Sequence, residues 1–385
     1  MMSIEPESLR QKYNKFLQPG RTLLTGHSHQ AWPDCAEEGV VEAFLDAAKH
    51  VDDKWSRAFD KAQYVREAIS RYCGAASGQV VLGQNTHELF YRFLSALPKK
   101  KRHLVASSGE FHSVRRQILA LGVEGWTVTW VETHPVHTLT ERLVASIQSD
   151  TAAIVCSSVL FETSTIVPHL DECVRAAVAQ DVEVFLDGYH SFMAHPWTLS
   201  EFSSAHAFIS GGGYKYAQWG EGVCWMTIPA HFDGKPVFTG WFSDFENLDR
   251  LKSGQLGYGS RAAERFAGST YDPTSHYRAA RVIQFFDDQG LTISQLRKLS
   301  MHQTSRLVDQ LGAEHLLSPI SPEERGGFVA YRVQHASHMV NRLREAGIFV
   351  DSRGSVIRFG PAPYTTDAEL DEACAVIRPL MRAHE

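Results

Sequence analysis

Short apolar runs and amphipathic stretches alternate through the middle of the chain. His103–Ser107, Thr127–Glu132, Ala152–Ser157, Val182–Asp187, Ala207–Ser210 and Val223–Ile228 read as strands. Between them, Ser113–Leu121, Leu139–Gln148 and Leu170–Gln180 carry helical spacing. Strands separated by helices of this length predict a mostly parallel sheet with helices on both faces.

The flanks read differently. Glu37–Cys73 predicts one or two long helices of mixed charge, and Leu89–Leu97 a shorter one. Trp241–Ser275 is loop-rich, with Gly254, Gly257, Gly259 and Gly268. From Tyr277 a helical pattern runs towards Leu299. The C-terminal part then reads as strand Gly327–Val333, helix His338–Ala346, strands Phe349–Ser352 and Val356–Phe359, and helix Thr366–Arg382. That order predicts a large domain over residues 31–275 and a smaller α+β domain over 276–385, with residues 1–30 as an arm packed on the smaller one.

Composition narrows the class. With 43% hydrophobic residues, 385 residues bury a large core without disulfide or metal staples. A net charge of -6 gives no electrostatic reason to expect nucleic acid or an anionic membrane. No stretch approaches the roughly 18 apolar residues of a membrane span. The N-terminus MMSIEPESLRQKYNKF has no apolar signal core. Cys35, Cys73, Cys156, Cys173, Cys224 and Cys374 form no C-x-x-C pair, which disfavours a metal site. A cytoplasmic enzyme acting on a small molecule is the expectation.

The candidate chemistry sits in two segments. In Val184-Phe-Leu-Asp187-Gly-Tyr-His190 an apolar run ends in an acid, which places Asp187 at the C-terminal edge of a buried strand, where open α/β sheets bind ligands. A carboxylate there needs a cationic partner, and a protonated pyridine nitrogen is one. The second segment is Ser210-Gly-Gly-Gly-Tyr214-Lys215-Tyr216. Its glycines allow close backbone approach and unusual backbone angles, and apolar surroundings favour the neutral, imine-forming amine of Lys215. Either residue alone has common structural roles; the pair, with His190 following, points to a site.

Other segments supply candidate walls. Asn85 and Thr86 precede the Leu89–Leu97 pattern, where amides and a hydroxyl at a helix start suit a phosphate, or simply cap the helix. Phe111 follows strand His103–Ser107, placed to stack on a ring or to pack the core. Arg358 lies in the apolar last strand. A substrate carboxylate is its favoured partner, ranked above a structural ion pair.

These residues resemble the fold-type I enzymes dependent on pyridoxal 5′-phosphate (PLP), class V aminotransferase branch, and within it the kynureninases. The resemblance rests on Asp187 and His190 three residues apart, then Tyr214-Lys215-Tyr216 ahead of Gly220-Glu-Gly222, and runs from about Leu23 to the C-terminus. It implies a mostly parallel seven-stranded sheet between helices, plus the smaller domain. It implies Lys215 as the Schiff-base lysine, Asp187 against the pyridine nitrogen, His190 close to the cofactor, Tyr214 at its phosphate with Asn85 and Thr86, and Phe111 stacked on its ring. Thr163 matches a segment near the cofactor. Trp241 matches a residue that reaches the neighbouring subunit's cofactor, Thr270 falls in a further cofactor-site segment, and Arg358 takes the substrate carboxylate. An obligate homodimer follows from the shared contacts, with no metal.

The implied reaction is hydrolytic Cβ–Cγ cleavage of kynurenine or a related amino acid, through an external aldimine and a Cα carbanion. Transamination or β-elimination on another amino acid is the alternative, and a non-catalytic binding protein a third. A cysteine desulfurase is disfavoured, because Ser300–Phe359 contains no cysteine. Departures bear on the substrate: Thr270 replaces an Asn, Ser164 replaces a Gly, and Leu23–Trp32 follows the family pattern loosely. His27, His29 and Trp32 are left as pocket-lining or arm-packing residues.

Overall fold

The computed structural model describes residues 4–76, 78–196, 199–249 and 254–382. Its strands, in chain order, are β1 (Thr22–Leu23), β2 (Val80–Gly83), β3 (His103–Ser107), β4 (Thr127–Val131), β5 (Thr151–Ser157), β6 (Glu183–Asp187), β7 (Phe208–Gly212), β8 (Cys224–Thr227), β9 (Val329–Arg332), β10 (Ile348–Phe349), β11 (Asp351–Arg353) and β12 (Val356–Phe359). A seven-stranded sheet runs β2-β8-β7-β6-β5-β3-β4. It is parallel from β4 to β7, and β8 runs antiparallel to both β7 and β2. Consecutive residues of β5 feed opposite faces: Ile154 and Cys156 join one apolar cluster, Ala153 and Val155 the other. Both faces are covered, so the strands read as near-continuous apolar runs.

The six expected sheet strands are present, and β2 is an addition. Its four residues, Val80–Gly83, are too few to show alternation, and only pairing with β8 defines them. Glu37–Cys73 resolves into two helices, Ala36–His50 and Lys54–Cys73, parted at Val51, whose φ is +50°. The pattern running from Tyr277 to Leu299 is likewise two helices, Thr274–Asp288 and Ile293–Leu311. Gly290, at φ +64°, ends the first turn between them, and Thr292 with Gln295 forms a capping box that starts the second. The loop-rich segment holds a 3-10 stretch at Trp241–Asn247 and a single-turn helix at Ala262–Arg265; residues 250–253 of it lie outside the described residues.

A smaller three-stranded antiparallel sheet, β11-β12-β9, carries a separate apolar cluster with helices Ala336–Glu345 and Asp367–Arg382. β1 pairs in parallel with β10, which ties the arm to this unit, although Tyr13 sits in the large cluster that holds Ile154 and Cys156. Residues 1–3 of that arm lie outside the described residues. Helix Thr274–Asp288 buries Ala279, Val282, Ile283 and Phe286 in the large cluster, whereas Leu307 and Val308 of the next helix join the small one. Leu296 of that next helix still packs in the first cluster, so we propose a division within helix Ile293–Leu311, between Leu296 and Leu307, rather than at residue 275.

Candidate active site

The C-terminal ends of β6 and β7 and the starts of two helices meet at a cavity of about 230 Å³. Asn85, Thr86, Phe111, Asp187, His190, Tyr214 and Lys215 all line it. Asp187 ends β6, buried, and its Oδ1 accepts the Tyr189 N–H at 2.9 Å. It makes no ion pair among the described residues. Burial raises the Asp187 carboxyl above its ordinary range; the Tyr189 amide and Lys215 oppose this. A buried, electrostatically underserved carboxylate at a strand end is a ready partner for a cationic ring nitrogen.

Lys215 lies in the turn after β7 and is also buried. Its Nζ is 2.8 Å from His190 Nε2, 4.6 Å from the Tyr189 ring centre and 5.7 Å from that of Phe111. Burial lowers the Lys215 amine to about 7, with Asp187 pulling the other way. Burial, then the Lys215 and Arg358 charges, hold His190 well below its usual range. An amine that loses its proton near neutrality is what nucleophilic or general-base work needs.

The glycine run is required for space. None of Gly211, Gly212 and Gly213 has a positive φ, against the expectation of unusual angles. A Cβ at Gly212 would stand 2.2 Å from Tyr189 Oη, so the glycine lets the tyrosine ring lie close beneath Lys215. Asn85 caps helix Thr86–Ala96, its Oδ1 accepting the Glu88 N–H at 2.9 Å. The cap and the open helix start are thus both realised, and the start faces the cavity.

Four expected residues, Thr163, Trp241, Thr270 and Arg358, do not line this cavity, and of these Trp241 was expected at a neighbouring subunit's cofactor. Thr163 bonds Thr165 between their hydroxyls at 2.8 Å and does not line the cavity. Trp241 donates Nε1–H to Thr270 Oγ1 at 3.3 Å, and Thr270 lines a separate cavity of about 590 Å³. Neither reaches Lys215 within one chain. Arg358 is buried, and its guanidinium is already engaged: Nε donates to Asp351 Oδ1 at 2.9 Å, Nη2 to Asp351 Oδ2 at 2.5 Å, and Nη1 to the Phe161 carbonyl at 2.7 Å. The structural ion pair, ranked second from sequence, is the arrangement present.

Sequence reasoning missed Tyr189, Ser157 and Cys224, which line the cavity, and Asp351. The two-residue turn Gly354-Ser355 was the available signal for Asp351, since it fixes the register Asp351↔Arg358. His27 belongs to the same cluster, its Nε2 2.8 Å from Asp351 Oδ1. His29 is exposed beside Tyr214, and Trp32 packs on Phe16 and under Arg278. Cys224 is a buried thiol that burial pushes up to about 12, which keeps it protonated and unreactive. No cluster of metal-ligating side chains exists among the described residues. Nor is any described helix long and apolar enough to cross a membrane.

The fold matches solved structures over nearly its whole length. A C-DES mutant with glycine covalently linked to its PLP cofactor superposes with TM-score 0.83 at 16% identity, covering 96% of this chain and 98% of the other. The apo cysteine desulfurase of Thermococcus onnurineus gives 0.82 at 17% identity, covering 100% and 99%. The chain therefore has the fold of these structures, the fold type I of PLP-dependent enzymes. Within that class its sequence likeness is to kynureninases. Residues 294–377 match the kynureninase C-terminal domain. Kynureninases of Shouchella clausii and Deinococcus radiodurans are each 24% identical to it, over 93% and 97% of this chain and 88% and 94% of theirs.

Proposed function

We propose that the protein is a PLP-dependent, kynureninase-like enzyme that cleaves the Cβ–Cγ bond of kynurenine or a related amino acid by hydrolysis. The observation that carries this reading is that Asp187 and Lys215, a buried carboxylate with no ion-pair partner among the described residues and a buried, neutralisable amine, face one cavity. Bound PLP supplies a protonated ring that withdraws electrons from the substrate's Cα. The residues present suit such a ligand from end to end. Asp187 would keep the ring nitrogen protonated, and Phe111 would lie against the ring face. The helix start at Asn85 and Thr86, with Tyr214, would receive the phosphate.

Lys215 is the residue that binds the cofactor and moves the Cα proton. Its lowered pKa lets it accept a proton near neutrality, and His190 Nε2 holds it in place by a 2.8 Å contact. Arg358 is assigned to the substrate carboxylate, which requires it to exchange partners. Trp241 and Thr270 are assigned to the neighbouring subunit's site in a homodimer, and Thr163 to support of the Phe161 segment.

The kinship in fold with cysteine desulfurases keeps elimination and transamination as the second reading. Desulfurisation itself needs a reactive thiol, and among the described residues the one cysteine lining the cavity, Cys224, is held protonated by burial. Product analysis decides between them: kynurenine giving anthranilate and alanine supports the hydrolytic reading, and a keto acid replaces it with the second. Adding PLP to the purified protein tests the foundation. A visible absorbance band is expected in the wild type and not in Lys215→Ala; a wild type that takes up no PLP overturns the assignment.

A further inference from the structure

We infer that Asp351 is a built-in competitor for the substrate carboxylate, occupying the fork of Arg358 until substrate displaces it onto His27. This rests on the reading above that Arg358 receives that carboxylate. Asp351 and Arg358 stand directly opposite each other across the β11–β12 pair. Two parallel contacts, at 2.9 and 2.5 Å, fill the planar face by which a guanidinium grips a carboxylate. The third contact goes to the carbonyl of Phe161, a residue of the cavity wall, so this fork lies just behind the site.

The arrangement follows from burial. Arg358 has 3% of its side chain exposed, and an unpaired guanidinium there would be strongly disfavoured. Asp351 supplies the missing charge while no substrate is bound. Because both residues sit in one hairpin, the competition is intramolecular and acts at a high effective concentration. Any incoming carboxylate must therefore outbid it, and uncharged analogues feel no such barrier.

Asp351 also has a second partner in place. His27 Nε2 is 2.8 Å from Oδ1, and the His27 ring stacks on Phe328 with centres 4.5 Å apart. Arg358 lies over the same Phe328, 5.6 Å from its centre, and His190 approaches it at 5.6 Å as well. One aromatic ring thus separates the lysine–histidine pair from the acid–arginine pair. When a substrate carboxylate takes the Arg358 fork, Asp351 retains a hydrogen bond from His27 and is not left bare.

The test uses 3-phenylpropionate, a carboxylate with no amine to react, and its uncharged amide as control, with binding measured by calorimetry on the full chain. Asp351→Asn is expected to bind 3-phenylpropionate on the order of tenfold more tightly than wild type, with the amide unchanged. Adding Arg358→Gln should abolish the gain. Equal affinities in wild type and Asp351→Asn, or a gain that survives loss of Arg358, overturn the inference. Should Asp351→Asn not fold, His27→Gln decides: about fivefold weaker binding supports the displacement, and unchanged binding refutes it. PLP uptake is read separately by absorbance. A protein that takes up PLP yet shows equal affinities sinks the role of Asp351 alone, whereas failure of uptake sinks the enzymatic reading.

Discussion

Lys215 Nζ and His190 Nε2 are 2.8 Å apart in a site from which both side chains have been withdrawn from water. Burial holds His190 neutral, so Nε2 offers a lone pair when the lysine carries its proton, while Nδ1 has no hydrogen-bond partner among the described residues. The pair keeps the amine in place at the cost of a buried, electrostatically disfavoured charge.

That cost sets a pH dependence of stability. The Lys215 amine lies at about 7 in the fold against 10.5 ordinarily, so between those values the unfolded chain binds the extra proton. Wild-type stability should rise with pH across that window, and the whole penalty should be present below it. Lys215→Met should raise the melting temperature of the cofactor-free protein near pH 7 by about 2 °C or more. The advantage should shrink towards pH 10. A variant less stable than wild type at neutral pH would contradict this account.

Glu110 titrates with the opposite sign. It is buried, and it accepts Ser157 N–H at 2.8 Å and Ser157 Oγ–H at 2.9 Å. Burial, with a contribution from Asp187, lifts its carboxyl from 4.5 to about 7. Its stabilising contribution is complete below the unfolded value and is lost as pH rises through the folded one. Relative to wild type, Glu110→Gln should gain stability on going from about pH 5 to about pH 8. Denaturation midpoints that move in parallel for both proteins would refute it.

Gly212→Ala tests the packing beneath Lys215. The new methyl would meet Tyr189 Oη at 2.2 Å and Cζ at 2.4 Å, so the ring must move. Overpacking of this kind costs about 1–3 kcal/mol. Chemical denaturation should show that loss, and a PLP titration should show weaker uptake, because Tyr189 no longer lies under the lysine. Full-strength uptake would mean that the tyrosine does not shape the cofactor site.

The proposed homodimer has a candidate face. Val41, Phe44 and Leu45 lie exposed along helix Ala36–His50. Nearby, Trp55, Phe59, Phe242, Phe245 and Tyr271 form a connected aromatic series leading to the exposed Trp241. Exposed apolar side chains such as Phe44, Leu45, Trp241 and Phe245 fit burial against a second copy. Light scattering should report a dimer for wild type and a monomer for Phe44→Asp combined with Leu45→Asp. A monomeric wild type would remove the shared-site assignment of Trp241 and Thr270.

The chain itself determined the layered sheet and the pair Asp187 and Lys215. A buried strand ending in an acid and a glycine run ending in a lysine are local patterns, and local patterns survive in one dimension. Asn85, Thr86, Phe111 and His190 were legible because each lies beside an element whose type its own neighbours dictate, whereas Tyr214 was named only through the family resemblance. Tertiary structure decided what the local pattern leaves open. It made β2 a strand by pairing with β8, split the long helical pattern at Gly290, and placed Thr163 and Thr270 away from the Lys215 cavity of their own chain. It also gave Arg358 a partner in Asp351 and joined His27 to them across 324 positions of sequence. Those outcomes depend on which distant groups neutralise a buried charge, and burial itself exists only once the chain has folded.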